Sequence, residues 1–125
     1  MADLDISATM KLYFACMDSA DFDTARGLFA KDALYIRSPL GGTPENPFAT
    51  SGVVPVEGLA AIEEFWDRRG KKPTHHDIQR DAVAGRDWWA EGEAWVGDDD
   101  TERRRFLVHA TFNDEDLIQR FVAIR

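Results

Sequence analysis

Ile6, Met10, Tyr13, Phe14 and Met17 recur at spacings of four, three, one and three residues, a single apolar stripe on a 3.6-residue period. That stripe predicts an amphipathic helix running to about Asp18 and Ser19, with Asp5 and Ser7 supplying acceptors for the first turn. A second, shorter helix should follow, N-capped by Asp21, with Phe22, Ala25, Leu28 and Phe29 on its buried side. So few residues join the two helices that they must pack as a hairpin. Residues 33–37 then change to the aromatic and β-branched character of a strand. Residues 38–52 carry Pro39, Gly41, Gly42, Pro44, Asn46 and Pro47, and a loop of that length is usually a binding or covering segment. Val53, Val54 and Val56 make a short strand, and the intervening Pro55 places it at a sheet edge. Gly58 opens a third helix with Leu59, Ile62, Phe65 and Trp66 on its apolar face; Arg68, Arg69, Lys71 and Lys72 suit its C-terminus, and Pro73 ends it.

From Thr74 onward the pattern is strand and turn. Residues 74–83, 88–96, 104–112 and 117–124 read as strands, separated by short turns of Gly, Asn and Asp. Helices in front of an antiparallel meander predict an α+β fold, with three N-terminal helices packed on a strongly curved, mostly antiparallel β-sheet. A curled sheet capped by helices makes a cone, and the open end of a cone is a natural small-molecule pocket.

Composition narrows the field. The chain has 125 residues, no repeat and no linker, so one domain over 1–125 is expected. A net charge of −8 repels phosphate backbones and anionic lipid, which argues against nucleic acid or membrane as partner. No run approaches the roughly 18 to 20 apolar residues of a membrane span. The acidic start lacks the cationic and apolar regions of a secretory signal, so a cytoplasmic location is expected. Cys16 is the only cysteine, which leaves no internal disulfide and no thiolate metal cluster. Nothing near it favours the thiolate, so a structural thiol is expected. No phosphate-binding glycine loop, zinc motif or calcium loop is present, and neither a metal nor another cofactor is expected.

Side-chain alternation sorts the polar candidates. His75 and His76 are adjacent on a strand and point to opposite faces, so they cannot share a metal ion. His76 has the parity of Ile78 and Ala82, the more apolar side, and is expected inside; Arg80 shares that parity, as an anion anchor in the pocket or a partner for Asp18. His76 fits either an acid/base role or a strand histidine bonded to a backbone carbonyl. Tyr13 is either an acid or a core aromatic, and Asp18 either part of the chemistry or a helix terminator. Trp89 and Trp95 share a face with Glu91 and Glu93, whereas Trp88 accompanies Ala90, Gly92, Ala94 and Val96. One of these faces lines the cone; the face mixing aromatics with charges suits a sheet-to-sheet homodimer. Asp98, Asp99 and Asp100 beside Arg103, Arg104 and Arg105 read as a solvated hairpin with cross-strand ion pairs.

The order of elements, the run Asp18-Ser19-Ala20-Asp21-Phe22-Asp23, the run Leu28-Phe29-Ala30-Lys31-Asp32-Ala33 and residues 56–66 resemble the nuclear-transport-factor-2-like superfamily. That superfamily includes ketosteroid isomerases, scytalone dehydratases and SnoaL-like polyketide cyclases, and the resemblance covers nearly the whole chain. Set beside the isomerases, Tyr13 is similar to the oxyanion-hole tyrosine, and Phe29 and Trp66 fall where some members carry further tyrosines. The general-base position holds Ser38 or Arg37, and the second oxyanion donor matches Val108 or His109, so classical ketosteroid isomerisation is not expected. Set beside scytalone dehydratase, Asp18 and His76 are similar to an aspartate and one of two histidines, and Tyr35 loosely to a strand tyrosine. Glu91 and Glu93 stand on the strand where the second histidine is missing.

The resemblance implies a cofactor-free lyase or isomerase, of the dehydratase or cyclase type, for a small apolar hydroxylated or carbonyl metabolite. His76, Asp18 and Tyr13 would be catalytic, and Phe14, Phe29, Tyr35, Trp66, Arg80 and Val108 would bind substrate. The alternatives are a non-catalytic binding or assembly module and, third, a protein-binding adaptor.

Overall fold

A computed structural model describes residues 4–37, 55–70, 73–98 and 103–124. The expected long loop, Val53 and Val54, and the general-base position at Ser38 lie outside the described residues, as do Asp99 and Asp100. Helix α1 spans Ile6–Ser19, α2 Phe22–Arg26 and α3 Leu59–Arg69. The strands are β1 Phe29–Arg37, β2 Val56–Glu57, β3 Thr74–Ala84, β4 Asp87–Val96, β5 Arg104–Phe112 and β6 Ile118–Ile124. They form one curved, open sheet of order β2-β1-β6-β5-β4-β3, with the three helices packed on it.

Local chemistry sets the helix ends as expected. Asp5 caps α1 by accepting from the Ala8 N–H, and Asp21 caps α2 by accepting from the Thr24 N–H. Ala20 stops α1 in the left-handed region at φ 57°, and its N–H returns to the Cys16 and Met17 carbonyls. Gly58 opens α3 at φ 87°, a conformation open to glycine, while its N–H bonds the Ala33 carbonyl and ties the helix to β1.

Two expectations need correction. Only two helices precede the sheet; α3 follows β1 and β2. Phe29 begins β1 instead of ending the second helix, because its backbone pairs with Ile118 across the sheet. The sheet is mostly antiparallel as expected: among the described residues only the β1–β6 pairing is parallel. A crossover made by the rest of the chain satisfies it.

The face of the sheet toward the helices is aromatic. Tyr13, Phe14, Phe29, Tyr35, Trp66, Trp88, Phe106, Phe112 and Phe121 are buried there. Each such ring stabilises the fold by about 1.5–3 kcal/mol through area removed from water. Phe22 stacks on Trp66, and Tyr35 stacks on Phe121 at 4.9 Å. Among the described residues the buried Trp66 Nε1–H meets no acceptor.

Three carboxylates fasten the elements, and hydrogen bonds hold each below the ordinary aspartate range. Asp21 is bonded by Thr24; Asp81 by the Ser7 hydroxyl at 2.5 Å and the Trp88 Nε1–H at 3.0 Å; Asp87 by the Thr111 hydroxyl and His109. A depressed folded pKa means that the unfolded chain takes up protons first. The stability these groups contribute is therefore full above the unfolded value of about 3.9 and disappears as pH falls through the folded values. Melting temperatures followed down from pH 5 should drop most steeply below about pH 4. Asp81→Asn, which unties α1 from β3 and β4, should lessen that slope.

Candidate functional site

The buried stripe of α1 lays the helix along the start of β3, and Asp18 lies on its flank one residue past Met17. Thr74 and His76 share a face of β3, so both reach this carboxylate. Asp18 Oδ2 accepts the His76 backbone N–H at 3.0 Å, and Oδ1 accepts the Thr74 hydroxyl at 3.2 Å. His76 Nδ1 lies 2.5 Å from Oδ1. A carboxylate held by three donors fixes the imidazole in orientation and favours the proton on Nδ1. The His76 side chain is only 5% exposed, against Phe14 at 4.9 Å and Phe106 at 5.7 Å between ring centroids.

Beside the imidazole, the Tyr13 and Tyr35 hydroxyls meet at 2.7 Å, both buried. One O–H is shared within the pair and the other is directed out of it. Tyr13, Phe14, Met17, Tyr35, Arg37, His76, Phe106, Phe121 and Ala123 line a cleft of about 10 Å³, room for roughly one water molecule.

This corrects the expected roomy hollow. Rings from α1, β1, β5 and β6 meet in the middle of the cone, and what remains is a slot between a base-like ring and two phenols. Tyr13, Phe14, Tyr35 and His76 come together around it, with Asp18 behind the imidazole. Phe29 and Trp66 pack behind Tyr13, and Val108 is buried on the inner face of β5 away from the slot. Arg80 is not inside. Its side chain is 83% exposed and pairs with Glu91 at 3.3 Å. The register of β3 against β4 skips one residue between Ile78 and Arg80, a bulge at Gln79 that reverses the parity of the rest of β3. Asp81 consequently turns inward, and Ala82 joins the outer face.

Met17, Phe106, Phe121 and Ala123 line the slot without having been singled out from sequence, where they read as ordinary core. Arg37 stood only as an occupant of the isomerases' base position. Its signal was the two-residue spacing from Tyr35, which puts both on one face of β1. Cys16 is buried, and desolvation raises its thiol pKa further, with Asp21 adding to it; that disfavours a nucleophile. Among the described residues no group of three or more His, Cys, Asp or Glu is placed to hold a metal ion. No helix among them is long and apolar enough to cross a membrane.

The larger concavity lies on the other side of the sheet. There Arg80, Trp89, Glu91, Leu107, His109, Val122 and Ile124 border an apolar groove of about 420 Å³. Trp89 stacks flat on His109 at 5.0 Å, and Arg103 sits 4.2 Å over Trp95, on whose other neighbour, His75, the stack continues. Trp88 therefore belongs to the inner face and Trp89 to the outer one.

Comparison with known proteins agrees with this architecture. No curated protein sequence matches the chain. Among solved structures it is similar to a candidate polyketide cyclase from Sinorhizobium meliloti, at 17% identity and TM-score 0.69, covering 98% of this chain and 99% of that one. IdmH, a candidate polyketide cyclase from Streptomyces antibioticus, gives 16% identity and TM-score 0.72 over 97% of this chain and 91% of its own. A candidate ketosteroid isomerase from Kribbella flavida gives 18% identity and TM-score 0.67 over 93% and 73%. Identities this low establish a shared fold and leave the reaction to the site itself. The family model of the SnoaL-like domain matches residues 10–121, and the chain belongs to that family, within the nuclear-transport-factor-2-like superfamily.

Proposed function

We propose that this protein is a cytoplasmic, cofactor-independent acid/base catalyst of the lyase or isomerase kind, acting on a small hydroxylated or carbonyl compound. The observation that carries the reading is the 2.5 Å Asp18–His76 contact beside the paired Tyr13 and Tyr35 hydroxyls, all at one slot in an otherwise apolar interior. The imidazole is shielded from water while the Asp18 side chain stays 26% exposed, so the pair links α1 to β3 at the edge of the core and contributes little to the apolar packing itself. As a proton-transfer device it is well built. His76 Nε2 removes a proton from carbon, Asp18 stabilises the imidazolium that results, and a phenol O–H donates to the developing oxyanion. In an elimination the same phenol delivers its proton to the departing hydroxyl as water; in an isomerisation His76 returns its proton to another carbon. The slot admits only the reacting end of the substrate, so the remainder lies outward along Arg37.

Incubating the protein with a metabolite extract and following all masses tests this. Wild type should convert a compound to one lighter by water, or to an isomer of altered retention, and His76→Ala should not. Conversion unimpaired in His76→Ala, or none with wild type, overturns the reading. A compound retained but chemically unchanged supports the second reading, a non-catalytic binding module.

The outer face fits a second copy of the chain. Leu107, Ile124 and Trp89 are 57%, 54% and 44% exposed on adjoining strands. Arg80 and Arg105 both flank Glu91 on this face, so one patch carries both signs of charge. Such a patch is self-complementary about a two-fold axis, which a chain of net charge −8 cannot offer with an unselected face. Light scattering should give a dimer for wild type and a monomer for Leu107→Glu; a monomeric wild type would refute the pairing.

A further inference from the structure

Resting on the proposed reaction at the slot, we infer that Arg37 seats a negatively charged oxygen, so that the substrate is a small acid. Arg37 is half-buried, two residues after Tyr35 on the same face of β1, and lies directly across from Ala123 of β6. Tyr35, Arg37 and Ala123 all line the slot. Among the described residues Arg37 makes no ion pair, although the chain has 23 acidic side chains against 15 basic ones. A guanidinium with no carboxylate partner among the described residues, at an aromatic slot, is a fork of donors suited to an acidic ligand.

The surrounding charge gives this cation its importance. A protein of net charge −8 repels anions at long range, and salt screens that repulsion beyond roughly 8 Å. An acid can therefore settle only where a local cation outweighs the field, and Arg37 is the cation lining the slot. Residues two apart on a strand are about 6–7 Å from each other. A ligand with one oxygen between the phenols and His76 and another on Arg37 therefore carries both a carboxylate and a carbonyl or hydroxyl group. The substrate class becomes a short keto or hydroxy acid.

Met17 lines the slot and is one of only three methionines, so its methyl group reports occupancy by NMR. The probes are 4-oxopentanoate and its uncharged amide, at matched ionic strength. In the wild type the acid should shift the Met17 signal at concentrations at least about tenfold lower than the amide, the range expected for a charge-assisted hydrogen bond. Arg37→Gln should abolish that preference, and Arg37→Lys, which keeps the charge without the fork, should retain part of it. The melting curve of each variant shows that it is folded. Equal response to acid and amide, or a preference persisting in Arg37→Gln, overturns the anion seat while leaving the slot a ligand site. If neither probe moves Met17 in wild type, both the seat and the proposed reaction at this slot are overturned.

Discussion

Gly92→Ala is expected to leave little folded protein at 37 °C. A Cβ added at Gly92 would stand 2.0 Å from the Asp77 carbonyl oxygen and 3.1 Å from Phe106 Cζ. The ring can turn aside, but the carbonyl is backbone, and relief requires β3 and β4 to part where Ile78 pairs with Gly92. That is also where the bulge begins, so the close approach and the reversal of side-chain parity have one cause. The expected cost is about 4 kcal/mol or more, a large part of the 5–15 kcal/mol that keeps a typical domain folded. Gly27→Ala is the control. It has an ordinary helical backbone, and its new methyl would meet only the Thr24 carbonyl at 3.4 Å. Urea denaturation should find Gly27→Ala within about 1 kcal/mol of wild type. A Gly92→Ala midpoint equally close to wild type would show that the approach of β3 to β4 is wrongly described.

The second large effect belongs to Asp18→Asn. The substitution keeps size and shape but replaces one acceptor oxygen with a donor amide, while three donors still converge on the position. Turned toward the His76 backbone N–H the amide nitrogen would face a fixed donor, so it turns instead toward the Thr74 hydroxyl and His76 Nδ1, both of which can accept. If the amide nitrogen meets His76 Nδ1, the imidazole must move its proton to Nε2 and can no longer act as a base there. Turnover of the compound identified in extracts should fall about 10²- to 10⁴-fold. Thr74→Ala, which removes only the longest of the three bonds, should cost far less. An Asp18→Asn variant that turns over at the wild-type rate would leave the carboxylate a purely structural role.

Much of the fold was legible because its signals are local. The stripe from Ile6 to Met17 needs only the helical period, and the turns at Gly85 and Asn113 need only turn chemistry. What escaped is non-local. Phe29 looks helical beside Phe22 and Ala25, and becomes strand only because β6 pairs with it. Arg80 looked inward because alternation was carried unbroken through Gln79; the interruption comes from Gly92 on the neighbouring strand. At the site, Asp18 and His76 stood out through a resemblance, and parity along β3 turns His76 inward. The meeting of the Tyr13 and Tyr35 hydroxyls had no sequence signature. The size of the slot had none either, since counting aromatics does not reveal whether Phe106 and Phe121 close the space between α1 and the sheet.

An interior imidazole that Asp18 holds ready for proton transfer underlies the proposed reaction. Ring-nitrogen NMR of His76 tests it most directly, in wild type and in Asp18→Asn, above the pH at which the ring is charged. Neutral His76 in wild type should carry its proton on Nδ1, and Asp18→Asn should transfer it to Nε2. A neutral wild-type ring protonated on Nε2, or a tautomer unaffected by Asp18→Asn, would contradict it.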